Sequence, residues 1–147
     1  LEAVVLASVE EVENAIKSLG LHKVKAKNIK KCCEKLWKEH DKKVPKSMDE
    51  LVELPGVGRK TATLFLADAY GVPGVTVDTH VFRISKRIGW AEGKNPVQVE
   101  KELMKVLPRE YWNRLNFQLI YHGRSVCTAR KAHCGKCALN QWCEKRV

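Results

Sequence analysis

Leu54-Pro55-Gly56-Val57-Gly58-Arg59-Lys60-Thr61-Ala62 sets a Pro-Gly turn and a second glycine between two helical patterns. Glycine alone reaches positive φ without steric cost, so the backbone can double back tightly there. The stretch therefore reads as a helix-hairpin-helix, although the same letters would also serve an ordinary helix-to-helix turn. A hairpin of this kind presents backbone N–H groups at the start of the following helix, where the helix dipole also favours an anion. A nucleic-acid phosphate is the natural ligand. Such a contact positions a protein on the backbone and reads no base. Leu54, Gly56, Val57, Gly58 and Arg59 are the candidate contact residues.

Two further residues separate this turn from an ordinary one. Lys60 falls inside the first helical turn, and Val77-Asp78-Thr79-His80 places an aspartate eighteen residues later, before a new helix. Positive potential at a helix N-terminus disfavours a protonated lysine and moves it toward being a nucleophile. Asp78 stands where an N-cap would stand, and capping alone would explain it in most proteins. An aspartate that caps a helix can also stay ionised and stabilise positive charge developing on a sugar. His80 reads as structural.

The chain has 147 residues, enough for one ordinary domain or two small lobes. It is 44% hydrophobic and 30% charged, the composition of a globular protein, and no apolar run approaches the ~20 residues of a membrane span. No charged-then-apolar leader opens it, so the expected location is intracellular. The formal charge is +10. Residues 1 to 73 hold 13 basic and 11 acidic side chains, net +2, whereas residues 74 to 147 hold 14 and 6, net +8. The second half carries the field. A basic chain without a lipid-facing pattern fits a polyanionic partner, nucleic acid above all, although a merely soluble basic surface is the plainer alternative.

Helical signals fill the rest, with no repeats and no period-2 strand candidates, so the fold should be all α. Ser8-Val9-Glu10-Glu11 is a capping box, with Val9, Val12, Ile16 and Leu19 at helical spacing and Gly20 closing the helix. A second helix is expected from about Lys25 to His40, with Ala26, Ile29, Cys33, Leu36 and Trp37 on one side and a lysine run on others. That run reads as a solvated face. Ser47-Met48-Asp49-Glu50 is another capping box, leading into the hairpin. Gly71-Val72-Pro73-Gly74 breaks the helix after it, so the lobes are expected at 1–72 and 73–147. Val75-Thr76-Val77 is too short to count as a sheet. Asn95, Pro96 and Gln98 start a helix that Pro108 ends, and Trp112, Leu115, Leu119 and Ile120 mark another.

Cys127, Cys134, Cys137 and Cys143 follow C-x6-C-x2-C-x5-C, all inside seventeen residues, with no room for a hydrophobic core between them. Disulfides could hold such a loop, but they are rare inside cells. Zinc on four thiolates is a second possibility that spacing leaves open. Cys32 and Cys33 remain, and no chemistry is assigned to them.

Through LPGVGRKTA, VDTH and the four-cysteine pattern the chain resembles the endonuclease III family of DNA glycosylases, over nearly its whole length. What it lacks is a beginning, since family members carry further helices upstream, and Leu1 looks like an internal residue. The resemblance implies an active-site cleft between a partial helical lobe and a cluster lobe. It implies a [4Fe-4S] cluster on the four cysteines, with Arg124, Arg130, Lys131 and Lys136 forming a basic rim toward phosphate. It also makes Gly20-Leu21-His22, an apolar side chain at a turn, the loop that wedges a base stack, with Leu21 the wedge; a leucine folded back onto the core is the plainer reading. The implied activity is a bifunctional glycosylase and abasic-site lyase, a monomer, acting on double-stranded DNA that carries oxidised pyrimidines or abasic sites. Lys60 and Asp78 would be the catalytic pair. Mismatch glycosylases of the same superfamily have a serine or a tyrosine where this chain has Lys60. The alternative is a non-catalytic helix-hairpin-helix DNA-binding module, which would require neither the lysine nor the aspartate.

Overall fold

The computed structural model describes residues 1–145. Its elements in order are α1 (Glu2–Leu6), α2 (Val9–Ala15), α3 (His22–Glu39), α4 (Met48–Val52), α5 (Arg59–Tyr70), α6 (Thr79–Ile88), α7 (Pro96–Val106) and α8 (Trp112–Ser125). Short 3-10 turns occupy Arg109–Tyr111 and Cys134–Lys136, and no strand occurs among the described residues. The all-α expectation holds. Two compact units divide the chain, Leu1–Ala62 and Thr63 onward, with the division inside α5.

In the first unit α1 and α2 pack on α3. Ser8 caps α2 by accepting from the Glu11 amide at 3.1 Å, while the Glu11 carboxylate accepts from the Ser8 amide at 2.7 Å. The Ser8 amide, and after it the Ser8 side chain, hydrogen-bond the Glu11 carboxyl and hold it below the usual carboxylate range. The helix does not run on to Gly20. The Ile16 amide divides its bond between the Val12 and Glu13 carbonyls, at 3.3 and 3.2 Å, and the chain tightens into turns from there.

α3 starts at His22, three residues earlier than periodicity predicts, because the Leu21 carbonyl already accepts from the Lys25 amide at 3.0 Å. Ala26 and Leu36 are its buried positions, whereas Ile29, expected on the inner side, is exposed. Nor is the lysine run all solvated face. Lys30 Nζ donates to the Val5 carbonyl at 2.7 Å and Lys35 Nζ to the Glu53 carbonyl at 3.2 Å, so the two close the C-terminal ends of α1 and α4. Ser47 caps α4 through the Glu50 amide at 3.3 Å, but the Glu50 carboxylate returns to the serine hydroxyl rather than to its backbone, leaving half a capping box.

In the second unit α6 packs on α7 and α8 around Val81, Ile84, Val99, Leu103, Leu115 and Leu119, all buried. Asn95 caps α7 with Pro96 in its first turn, as the sequence indicates. Val75, Thr76 and Val77 are buried without a sheet to take their polar groups. α8 supplies partners instead: Asn116 Nδ2 donates to the Thr76 carbonyl at 3.2 Å, and Asn113 Oδ1 accepts from the Gly74 amide at 2.9 Å. Gly123 brings α8 close to α6, since a Cβ there would lie 2.5 Å from His80 Nδ1 and 2.9 Å from both Arg83 Nη2 and Ile84 Cδ1.

Candidate nucleic-acid interface and cysteine pocket

The hairpin between α4 and α5 is built on Leu54, which is 3% exposed and whose carbonyl accepts from the Val57 amide at 3.0 Å. Gly56 has φ +82°, and a Cβ on it would come within 2.8 Å of Asn28 Cβ on α3. Its glycine is therefore required twice, by conformation and by contact. Gly58 faces open space, and its carbonyl takes the Ala62 amide at 3.0 Å, starting α5. Arg59 and Lys60 are the first two residues of that helix, both exposed at its positive dipole end.

Leu21 has φ +60° and is 77% exposed. It does not fold back onto the core. A bulky side chain held in the left-handed region is unfavourable, so the turn presents this leucine at a backbone cost. Next to it, His22 Nε2 lies 3.4 Å from Glu13 Oε1 and ties the loop to α2.

Asp78 is the N-cap of α6, and its Oδ1 accepts from the amides of His80 and Val81 at 2.8 and 2.9 Å. Two backbone donors at the start of the helix fix the position of this carboxylate. The cap reading of the sequence is thus satisfied in full, and an anion is fixed at the start of α6. His80 Nδ1 lies 3.3 Å from Arg83 Nη2, a packing role in keeping with its expected one. Lys60 belongs to the first unit and Asp78 to the second.

Past α8 the chain wraps a pocket that all four C-terminal cysteines line, together with Ile84 and Ile88 of α6. Each cysteine is half-buried, and all six in the chain are free thiols, so disulfides do not hold this loop. Among the described residues no three His, Cys, Asp or Glu side chains converge where a single ion would touch them. The loop is shaped by its own bonds. Thr128 Oγ1 donates to the Lys131 carbonyl at 2.7 Å and His133 N donates to the Val126 carbonyl at 3.0 Å, which puts Arg130 and Lys131 at an exposed tip. Lys136, in the 3-10 turn, and Arg124, in the last turn of α8, are exposed as well.

Sequence reasoning missed two arginines here. Arg83 Nη2 donates to the carbonyls of Cys127 at 3.0 Å and Gly123 at 3.4 Å, and Arg87 Nη1 donates to the Thr128 carbonyl at 2.7 Å. Their spacing of four on one helix face is the sole local signal, and it does not reveal distant carbonyls as partners. Cys32 and Cys33 are both half-buried on α3, beside Pro55, Gly56 and Val57. Burial, with Cys33 adjacent, pushes the Cys32 thiol up.

A hairpin closed by a left-handed glycine, set among helices and followed by a four-cysteine loop, defines a helix-hairpin-helix protein of the all-α class. Residues 1–109 match the HhH-GPD superfamily base excision DNA repair protein, and the chain belongs to that family. It is 48% identical to the endonuclease III of Synechocystis sp. over 135 residues, which are 91% of this chain and 62% of that protein. With the endonuclease III of Escherichia coli strain K12 it shares 47% identity over 136 residues, 92% of this chain and 64% of the relative. The chain thus spans under two thirds of the length of these relatives. Its fold is similar to that in a solved trapped endonuclease III–DNA covalent intermediate, with TM-score 0.89, 42% identity, and coverage of 97% of this chain and 67% of that one.

Proposed function

We propose that this chain belongs to a bifunctional DNA glycosylase and abasic-site lyase that removes oxidised pyrimidines such as thymine glycol from double-stranded DNA. The observation that carries the reading is Lys60, exposed in the first turn of the helix that leaves a phosphate-type hairpin, in a chain of a base excision repair family. A similar protein, endonuclease III, has been trapped in a covalent intermediate with DNA. The enzyme would act as a monomer inside the cell, on genomic DNA.

In the proposed reaction Leu21 enters the base stack and the damaged nucleotide turns out of the helix. The Lys60 nitrogen forms a bond to C1′ as the C1′–N bond breaks and the base leaves with its electron pair. Asp78, held in place by two backbone hydrogen bonds at the start of α6, stabilises the positive charge that gathers on the sugar and helps take the lysine proton. The sugar ring opens to an imine. Loss of a C2′ proton then expels the 3′ phosphate oxygen and breaks the strand. Leu54, Gly56, Val57, Gly58 and Arg59 would hold one phosphate run, and Arg124, Arg130, Lys131 and Lys136 another, both independent of base sequence.

Cys127, Cys134, Cys137 and Cys143 would hold a [4Fe-4S] cluster, which supplies a four-point cross-link bracing the basic loop. Four free thiols lining one pocket supply the donor set such a group needs. Iron analysis tests this assignment: the purified protein should be brown with about four irons per chain, and a colourless protein with one zinc would overturn it. The activity itself is tested on a thymine glycol duplex, where free base and a break 3′ to the lesion are expected. Asp78→Asn keeps a good N-cap, so its single-turnover base release should fall by roughly 10²–10³-fold, the scale of one preorganised electrostatic group, with DNA binding retained. Full activity in that variant would leave Asp78 a helix cap and nothing more.

A further inference from the structure

Arg87, in the last turn of α6, does more than brace the cysteine loop. Its Nη1 donates to the Thr128 carbonyl at 2.7 Å and also to Cys127 Sγ at 3.4 Å, while Nη2 donates to the Ala129 carbonyl at 3.4 Å. The backbone carbonyl of the same residue accepts from Cys143 Sγ at 3.4 Å. One residue thus touches both the first and the last cysteine of the four. The other sulfur contacts are of a different kind: Cys143 Sγ also accepts from the Lys145 amide at 3.4 Å, and Cys137 Sγ lies 3.7 Å from His122 Nε2. At Cys127, by contrast, the donor is a permanent cation. Two carbonyls hold the guanidinium in place, so its charge cannot swing away from the sulfur, as a lysine ammonium on a flexible stem could.

A fixed cation donating to a ligand sulfur favours the more electron-rich state of whatever that sulfur holds, because added negative charge is delocalised onto the ligands. We propose that Arg87 sets the reduction potential of the group bound by the four cysteines, through its charge-assisted bond to Cys127 Sγ. The proposal rests on the [4Fe-4S] reading above. Arg87 is a tuning residue: it acts through a ligand sulfur.

The experiment compares Arg87→Lys and Arg87→Gln with the parent in the full-length protein, with iron content measured before redox titration of the visible band on DNA. Both variants should retain iron and titrate at more negative potential, Arg87→Gln further than Arg87→Lys, because the first removes the charge and the second only unfixes it. Variants with full iron and the parent potential would overturn the inference and leave Arg87 a loop brace. Loss of iron from both variants would overturn it in the same sense. A parent protein without iron would instead remove the cluster reading on which the inference stands.

Discussion

Leu21 combines two properties that seldom occur together, a left-handed backbone at φ +60° and 77% exposure of a large apolar side chain. Neither contributes to folding: the conformation costs backbone energy and the exposure forfeits burial. The proposed wedge role would account for both. Leu21→Ala should slow base release from an intact lesion duplex several-fold, yet slow it far less when the lesion faces a gap, because the wedge offsets part of an unstacking cost of roughly a few kcal/mol. Kinetics on the two substrates check this, and equal losses on both would reduce Leu21 to a turn residue. Its exposure was not legible in the sequence, since a leucine after glycine is as easily tucked under as turned out. Gly56 was legible, because Pro-Gly before a second glycine signals positive φ wherever the turn packs. That it must also clear Asn28 depends on a contact from α3 that no local pattern announces.

Among the elements, α6 carries the most. Asp78 caps its start, Gly89 closes its end at φ +95°, and Arg83 and Arg87 on its flank reach the cysteine loop. Its seam with α8 depends on Gly123, where a Cβ would press at once on His80, on the hydrogen-bonded Arg83 guanidinium and on Ile84. Gly123→Ala should therefore cost about 1–3 kcal/mol, the usual range for overpacking a tight seam, and thermal unfolding of the variant would show a lower Tm. An unchanged Tm would mean that the three side chains step aside freely. Caps such as Ser8, Asp78 and Asn95 were legible because a cap is local chemistry. The early start of α3 was not, as Leu21 has no cap side chain and begins the helix by backbone conformation alone. Lys30 and Lys35 looked like solvent-facing charges for a similar reason: the carbonyls they close belong to other helices.

At the scale of the whole chain, charge and chemistry are separately distributed. The net +8 of residues 74 to 147 supplies attraction for a polyanion, whereas the hairpin and Lys60 lie in the half that carries net +2. Binding and reaction should accordingly come apart on substitution. The central claim is that Lys60 is the nucleophile, and borohydride trapping tests it most directly. Reductant added during turnover of thymine glycol DNA should convert the imine to a stable amine and leave the protein covalently attached to the strand. Lys60→Gln should abolish that adduct while changing DNA affinity little, because one charge among many basic groups is lost. An adduct that persists in Lys60→Gln would contradict the account and move the nucleophile to another amine.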